Sequence, residues 1–213
     1  ANELPDIFLT LGAGWSQSFV DSGKLLDLTS YYEDYKKELP EKFMNYAIYD
    51  NKVYGTPFMA STSMMFYNKD MFEKQGVEVP KTYEELISVC QKFIDSGITP
   101  IAVSAKEAWV IAMVQDALAL KTAGPEKTQN ALTKNGQSYN DEDFLLAAER
   151  FRELIDMGAF SEGATGLSMD EAQAAFTSEQ IPILINGSWV AGTLAATDNP
   201  EHFEIAPVPK CSD

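Results

Sequence analysis

Residues 168–189, with the sequence SMDEAQAAFTSEQIPILINGSW, carry the clearest succession of helix and strand signals in the chain. Ser168 and Glu171 have the spacing of a capping box, which begins a predicted helix. The apolar run IPILIN at residues 181–186 then predicts a buried strand. The letters GSW follow it and predict a turn into another helix, so this stretch is a helix, strand, helix unit.

The same alternation continues on both sides of this stretch. Thr82 and Glu85 form a second capping box for a helix that ends at Gly97, and Asn68 caps a helix that ends at Gly76. Other helices are predicted at residues 107–121 and at 141–157, the latter with Phe144, Ala148, Phe151 and Ile155 on its apolar face. Strands or extended segments are predicted at residues 7–11, 52–58, 59–67, 101–104 and 203–208. The pattern predicts an α/β sandwich with a largely parallel sheet.

Charge and composition exclude several kinds of partner and site. The 213 residues hold 32 acidic and 16 basic side chains, a net charge of −16, which repels nucleic acid and acidic membranes. The apolar stretch at 108–114 is far shorter than the ~18 residues that a membrane span needs. Two cysteines and one histidine make a structural zinc site untenable. We expect Cys90, on a helix stripe, and Cys211, in a tail beyond the last strand, to stay unpaired.

Catalytic motifs are absent from the sequence. It contains no G-x-S-x-G, no Walker A and no G-x-G-x-x-G pattern, so we expect no metal and no cofactor. A pair of Asp and Glu residues could be drawn anywhere in so acidic a chain, so a glycosidase-like pair has little specificity. His202, beside a predicted strand, is expected at the surface or at a helix cap rather than as a general base.

The tryptophans are the more informative feature. Trp15, Trp109 and Trp189 each follow the carboxyl end of a predicted strand, where open α/β sheets bind ligands. Flat indole faces beside carboxylates suit a sugar, whose C–H faces stack while its hydroxyls form hydrogen bonds. The same side chains suit a quaternary ammonium cation. Core packing of each tryptophan is the competing interpretation.

Taken in order, several segments resemble the extracellular solute-binding proteins of sugar-importing ABC transporters, the relatives of maltose-binding protein. These segments are PDIFLTLGAGW, SGKLLDL, YGTPFMASTSMMFYNKDMFEKQG, VPKTYEELISVCQKF, SMDEAQAAFTSEQIPILINGSW and FEIAPVP. The resemblance implies an α/β fold with two lobes around a ligand cleft, incomplete in this chain because segments expected before PDIF and after FEIAPVP are missing. It implies part of a first lobe at 1–60, a crossing strand at 61–66, part of a second lobe at 67–202, and a second crossing with a tail at 203–213.

The resemblance also implies ligand contacts and partners. The implied ligand-binding residues are Gly14, Trp15, Ser16, Ser61, Glu107, Trp109 and Trp189. The implied function is capture of a sugar or oligosaccharide for an ABC permease, outside the cytoplasm in the periplasm or as a cell-surface lipoprotein, with the signal peptide not in this chain. The alternatives are a carbohydrate-active enzyme with an Asp/Glu pair and a protein that binds a cationic solute.

Two further expectations follow from the implied lobes. If both crossings lie side by side, the Cα atoms of Thr62 and Ile205 should approach as neighbouring strands do, within about 5 to 6 Å. Sheet edges left unpaired in an incomplete chain favour an oligomer or a swapped assembly.

Overall fold

The computed structural model of the protein describes residues 5–39, 41–132 and 136–211. The chain divides into two compact units, residues 1–60 and residues 61–213. No helix in the described parts of the chain is long and apolar enough to cross a membrane.

The first unit is built from short elements. After a 3₁₀ turn at Ala13–Trp15 come three helices and two strands: α1 (Gln17–Asp21), α2 (Thr29–Tyr35), α3 (Glu41–Met44), β1 (Ile48–Tyr49) and β2 (Lys52–Val53). The two strands form a hairpin whose two loop residues, Asp50 and Asn51, both have positive φ, as this kind of tight turn requires. Asp27 ties the start of α2 to the hairpin, since its carboxylate accepts from the Thr29 N–H and pairs with Lys52. Hydrogen bonds from Thr29, supported by Lys52, lower the pKa of Asp27 to about 2.

Two strand predictions in this unit are wrong. Residues 7–11 form no strand, and Ile7 is 90% exposed, because the described residues 5–39 and 41–60 place no strand beside them to accept their hydrogen bonds. The predicted strand at 52–58 stops at Val53, before Gly55 and Pro57, residue types that weaken a strand or remove a donor from it.

The second unit is a three-layer sandwich around a four-stranded sheet. Its strands are β3 (Ser63–Asn68), β4 (Ile101–Ala102), β5 (Ile183–Gly187) and β6 (Phe203–Ala206). Its helices are α4 (Lys69–Gln75), α5 (Tyr83–Asp95), α6 (Ala108–Ala123), α7 (Pro125–Leu132), α8 (Glu142–Asp156), α9 (Met169–Thr177) and α10 (Val190–Leu194), with a 3₁₀ turn at Pro200–His202. Both capping boxes and the Asn68 cap are confirmed. The helix α7 was not foreseen, although Pro125 stands at its first position, where proline is favoured.

The sheet is mixed rather than largely parallel. Its strand order is β4, β5, β3, β6, and β3 pairs antiparallel with both neighbours, while β4 and β5 form a parallel pair. The parallel prediction holds for the β4 and β5 pair, but a helical connection alone does not decide strand direction, since α4 and α5 join β3 to β4 and these two strands run in opposite directions. The strand β3 enters from the opposite direction and lies between two strands that come much later in the chain.

Alternate residues of the strands pack into two cores, one on each face of the sheet. Met65 and Ile185 face the larger core with the side chains of α5, α6 and α8, whereas Phe66 and Leu184 face the smaller core with α9 and α10. Burial on both faces explains why β5 begins with three consecutive apolar residues, Ile183 to Ile185.

The strands β3 and β6 are neighbours, but their register differs from the prediction. Ile205 lies opposite Phe66, four residues further along than Thr62. Thr62 is bonded instead to Ser188, whose N–H donates to the Thr62 carbonyl over 2.9 Å.

The structure differs from two packing predictions in this unit. Helix α8 buries Phe144, Ala147 and Leu154, while Ile155 is exposed and Ala148 lies on the solvent side. Cys211 is buried rather than in a free tail, because Lys210 bonds to Lys81 and Tyr83 through the main chain. Cys90 and Cys211 are both free thiols.

Candidate functional site

One edge of the second unit's sheet gathers most of the chemistry predicted from the sequence. The carboxyl ends of β4, β5 and β6 and the amino end of β3 meet there, as the register between Ser63 and Gly187 requires. Four predicted ligand residues follow or precede these strand ends: Ser61, Glu107, Trp109 and Trp189. The strand ends therefore bring polar and aromatic side chains from distant parts of the sequence to one edge.

Trp109 and Trp189 form an aromatic pair at this edge. Their ring centroids lie 6.1 Å apart with an angle of 60° between the ring planes. Trp109 is the second residue of α6 and is 50% exposed, and Trp189 precedes α10 and is 44% exposed. A tryptophan in a protein core would lose nearly all its exposure, so both rings keep surface for a ligand.

Glu107 precedes α6, two residues before Trp109, and is held in place by its own hydrogen bonds. Its Oε2 atom lies 2.8 Å from the Ser104 hydroxyl and accepts from the Met169 N–H over 2.9 Å. The Ser104 hydroxyl first, and then the Met169 N–H, keep the pKa of Glu107 below its usual value. Its carboxylate is therefore ionised at neutral pH and available as an acceptor for a hydroxyl donor.

The turn before Trp189 is fixed to the start of β3. The Ser188 N–H donates to the Thr62 carbonyl, and the Thr62 N–H lies 3.4 Å from the Ser188 hydroxyl. On the other side, the buried Asn186 side chain accepts from the Gly187 N–H over 2.8 Å. Ser188 and Asn186 flank residues predicted from the sequence but carry no signal of their own there, and Thr62 was predicted to lie beside Ile205 rather than Ser188.

The remaining predicted ligand residues belong to the first unit. Trp15 is 73% exposed at the end of the 3₁₀ turn, and Gly14 is also exposed. Ser16 is buried, and its hydroxyl lies 3.0 Å from the Thr10 hydroxyl, so it already has a partner. Ser61, already named at the sheet edge, differs from these three in that it begins the second unit, and it is exposed.

No metal centre accompanies these residues in the part of the chain that the structure describes. Residues 5–39, 41–132 and 136–211 contain no group of three His, Cys, Asp or Glu side chains placed to hold an ion. His202 lies away from this edge, at the amino end of β6, with Glu179 and Asp70.

The sequence model of the bacterial extracellular solute-binding proteins matches residues 1–212. The chain belongs to this family. The predicted α/β solute-binding-protein fold class is confirmed by solved structures of such proteins.

Relatives of this solute-binding protein include sugar binders. It is 26% identical to the multiple sugar-binding protein of Streptococcus mutans over 193 residues, which are 89% of this chain and 45% of that protein. A structure from work on xylan utilization by the thermophilic bacterium Caldanaerobius polysaccharolyticus shares 32% identity with a TM-score of 0.86, over 95% of this chain and 53% of that one. A chitin oligosaccharide binding protein shares 27% identity with a TM-score of 0.84, over 94% of this chain and 50% of that one. The chain spans about half the length of these proteins.

Proposed function

We propose that the protein is a non-catalytic binding protein that captures a sugar or oligosaccharide and delivers it to the permease of an ABC importer. The observation that supports this most directly is the pair of half-exposed indoles, Trp109 and Trp189, at the sheet edge where Glu107 also precedes α6.

The chemistry of this edge fits a carbohydrate. Each indole offers a flat apolar face, on which the C–H face of a pyranose ring stacks. Because the planes of the two rings differ by 60°, they border a corner rather than a single flat wall. Glu107 accepts a hydrogen bond from a hydroxyl at that corner, and bonds to a charged acceptor are stronger than neutral ones.

The wider assignments go with this proposal. Sugar-binding relatives and family membership support a place outside the cytoplasm, in the periplasm or as a cell-surface lipoprotein. Four further assignments stay predictions. They are the lobes at 1–60 and 67–202, the crossings at 61–66 and 203–213, the contribution of Trp15 to ligand binding, and an oligomeric assembly.

Two alternatives make different demands on the same residues. A carbohydrate-active enzyme would need a pair of acidic groups placed on either side of a glycosidic bond, and the only support for it is the acidity of the chain. A quaternary ammonium ligand would use the indole faces through cation–π contacts and would be attracted by the net charge of −16. Its binding would weaken with added salt, whereas stacking of a neutral sugar would not.

Calorimetric titration of the protein with xylan-derived and chitin-derived oligosaccharides and with glycine betaine, at low and high salt, tests the proposal. The expected result is saturable binding of at least one oligosaccharide, insensitive to salt, with the sugar recovered unchanged. A ligand at 100 times its dissociation constant should also add about 2.7 kcal/mol of stability in a thermal unfolding assay. Cleaved sugar would establish an enzyme, and salt-sensitive binding of betaine alone would establish a cation-binding protein.

A further inference from the structure

Gly187, the last residue of β5, lies directly beneath the Trp189 indole. A Cβ atom built on Gly187 would stand 2.1 Å from Cη2 and Cζ3 of that ring and 2.4 Å from Cε3. Carbon atoms in contact are normally about 3.5 to 4.0 Å apart, so even the smallest side chain would collide with the ring. The nearly equal distances to three consecutive ring atoms place that position over the face of the ring rather than beyond its edge.

The backbone at Gly187 gives no other reason for a glycine. Its φ lies outside the left-handed region, unlike that of eight other glycines in the described residues. Gly187 lies within the sheet, opposite Ser63, where a glycine weakens a strand because it has no side chain to pack. The other β5 residues all carry larger side chains, so the space taken by the indole accounts for this exception.

The contacts of Trp189 define how its ring is held. One face covers the main chain of Gly187, and Trp109 lies 6.1 Å away at an angle of 60°. The turn that carries Trp189 is fixed to β3 by the Ser188 and Thr62 bonds. Although Gly187 covers part of one face and Trp109 packs nearby, 44% of the Trp189 surface stays exposed.

We infer that Gly187 is a positioning residue for ligand recognition. Its missing side chain lets the Trp189 ring lie flat on the end of β5, which fixes the plane that the indole presents to a sugar. The identity of the ligand as a sugar rests on the proposed function, whereas the placement of the Trp189 ring over Gly187 does not. Any side chain at position 187 lifts the indole, changes its angle to Trp109 and misaligns the stacking surface.

A double-mutant cycle tests the placement. Gly187→Ala, Trp189→Ala and the double variant are compared by urea unfolding, near-ultraviolet circular dichroism and calorimetric titration with the best oligosaccharide. We expect Gly187→Ala to alter the near-ultraviolet band of the tryptophan pair and to weaken sugar binding at least tenfold, with the far-ultraviolet spectrum unchanged. In the Trp189→Ala background the added methyl group has no indole to collide with, so its destabilising effect on the urea midpoint should vanish. Such non-additivity is the signature of direct contact between two sites.

Gly192→Ala is the matched control, because it adds the same methyl group in α10 where nothing lies within 4 Å. It should leave the near-ultraviolet band and the affinity unchanged. If Gly187→Ala fails to fold while the double variant folds, the collision with the indole is established. If neither folds, or if the near-ultraviolet band is unchanged in Gly187→Ala, the positioning role is wrong. A wild-type protein that binds none of the oligosaccharides overturns the proposed function instead, and leaves the spectral comparison intact.

Discussion

The Nδ1 atom of His202 lies 2.9 Å from the Oε1 atom of Glu179, across the junction between the end of α9 and the start of β6. The other ring nitrogen, Nε2, lies 3.4 Å from a carboxylate oxygen of Asp70 in α4. The chain's one histidine therefore joins three elements of the second unit, although its sequence context predicted only a surface or capping residue.

His202→Gln tests the charge on this contact. The hydrogen bond to Glu179 first, then the charges of Asp70, Glu179 and Glu201, raise the pKa of His202 above 6.5, despite an opposing effect of desolvation. Protonation is favoured in the folded state, so the stabilisation is complete below pH 6.5 and is lost as the pH rises through the raised pKa. We expect the wild type to exceed His202→Gln in free energy of unfolding at pH 6, and the gap to shrink by pH 8.5.

Urea unfolding of both proteins at the two pH values measures this gap. His202 also lowers the pKa of Glu179, and Glu179 is the largest cause of the raised pKa of His202, so Glu179→Gln should remove the largest part of this pH dependence. A gap that stays constant from pH 6 to 8.5 would show that the imidazole acts only as a neutral hydrogen-bonding group.

Glu107→Ala should show the opposite pH dependence. The Ser104 hydroxyl and the Met169 N–H stabilise the ionised carboxylate and lower its pKa, which for an unperturbed glutamate is 4.5. The stabilisation is therefore present above that value and is lost as the pH falls through the lowered pKa. We expect the variant to unfold at a lower urea concentration than wild type at pH 7, with a smaller difference at pH 3.5. Glu107→Gln keeps one acceptor oxygen and should lie between the two; equal midpoints for all three proteins at pH 7 would contradict a role in holding α9.

Gly12→Ala should destabilise the first unit. Gly12 has a φ of +71°, and a Cβ atom there would stand 2.6 Å from the Tyr46 carbonyl oxygen. The left-handed conformation alone costs a residue with a side chain roughly 1–2 kcal/mol, and the contact with a main-chain atom adds to it. Gly14→Ala is the matched control, since nothing lies within 4 Å and its φ is not positive. Hydrogen exchange of peptides from residues 5–39 should become faster in Gly12→Ala alone, and equal protection in both variants would contradict the strain.

Arg150→Met should release the carboxyl-terminal segment from the core. The Arg150 guanidinium donates to the Cys211 carbonyl and to the Thr122 hydroxyl, and it lies 5.0 Å from the centre of the Tyr83 ring. Its side chain is only 14% exposed, so the loss of a charged donor should cost about 1.5 to 3 kcal/mol of unfolding free energy. Arg152→Met is the control, because that side chain is 72% exposed and pairs with Asp156 one turn away, a contact worth about 0.3 to 0.5 kcal/mol.

Thiol labelling gives a second measurement of the same change. Burial raises the pKa of Cys90 to about 12 and also raises the pKa of Cys211, so neither thiol should react quickly in the native wild type. In Arg150→Met we expect Cys211 to react and Cys90 to stay protected. Equal protection of Cys211 in both proteins would show that the main-chain bonds of Lys210 hold the segment without Arg150.

The features predictable from the sequence are those set by neighbouring residues. Thr82 with Glu85, and Ser168 with Glu171, begin helices because each capping box is complete within four residues. The placement of β3 between β5 and β6 depends on pairing across more than a hundred residues, for which no local pattern exists. Helix α8 shows the same limit, since its sequence allows more than one apolar stripe and packing against α6, which is distant in sequence, determines which one is buried.

The candidate site also has a part that the sequence predicts and a part that it does not. Trp109 and Trp189 follow true strand ends, and the structure brings them together as that position predicts. The strand assigned before Trp15 does not form, and Ser16 is buried against Thr10, because that stretch finds no neighbouring strand among the described residues of its unit. Gly187 had no signal in the sequence beyond its place two residues before a tryptophan.

Trp189→Ala should separate binding from folding. Stacking contributes about 0.5 to 1.5 kcal/mol beyond the burial of apolar area, and each 1.4 kcal/mol corresponds to a tenfold change in affinity. With burial of the ring face added, we expect at least a tenfold loss of sugar affinity. Because the ring is half exposed, the unfolding free energy should fall by only about 1 kcal/mol, against about 3 to 5 kcal/mol for a tryptophan in the core.

Tyr139→Ala is the control, since Tyr139 is similarly exposed and also paired, its ring 4.8 Å from that of Phe144. Calorimetric titration and urea unfolding of both variants measure the two effects. An equal loss of sugar affinity in Tyr139→Ala, or a loss of about 3 to 5 kcal/mol of unfolding free energy in Trp189→Ala, would contradict a binding role for Trp189.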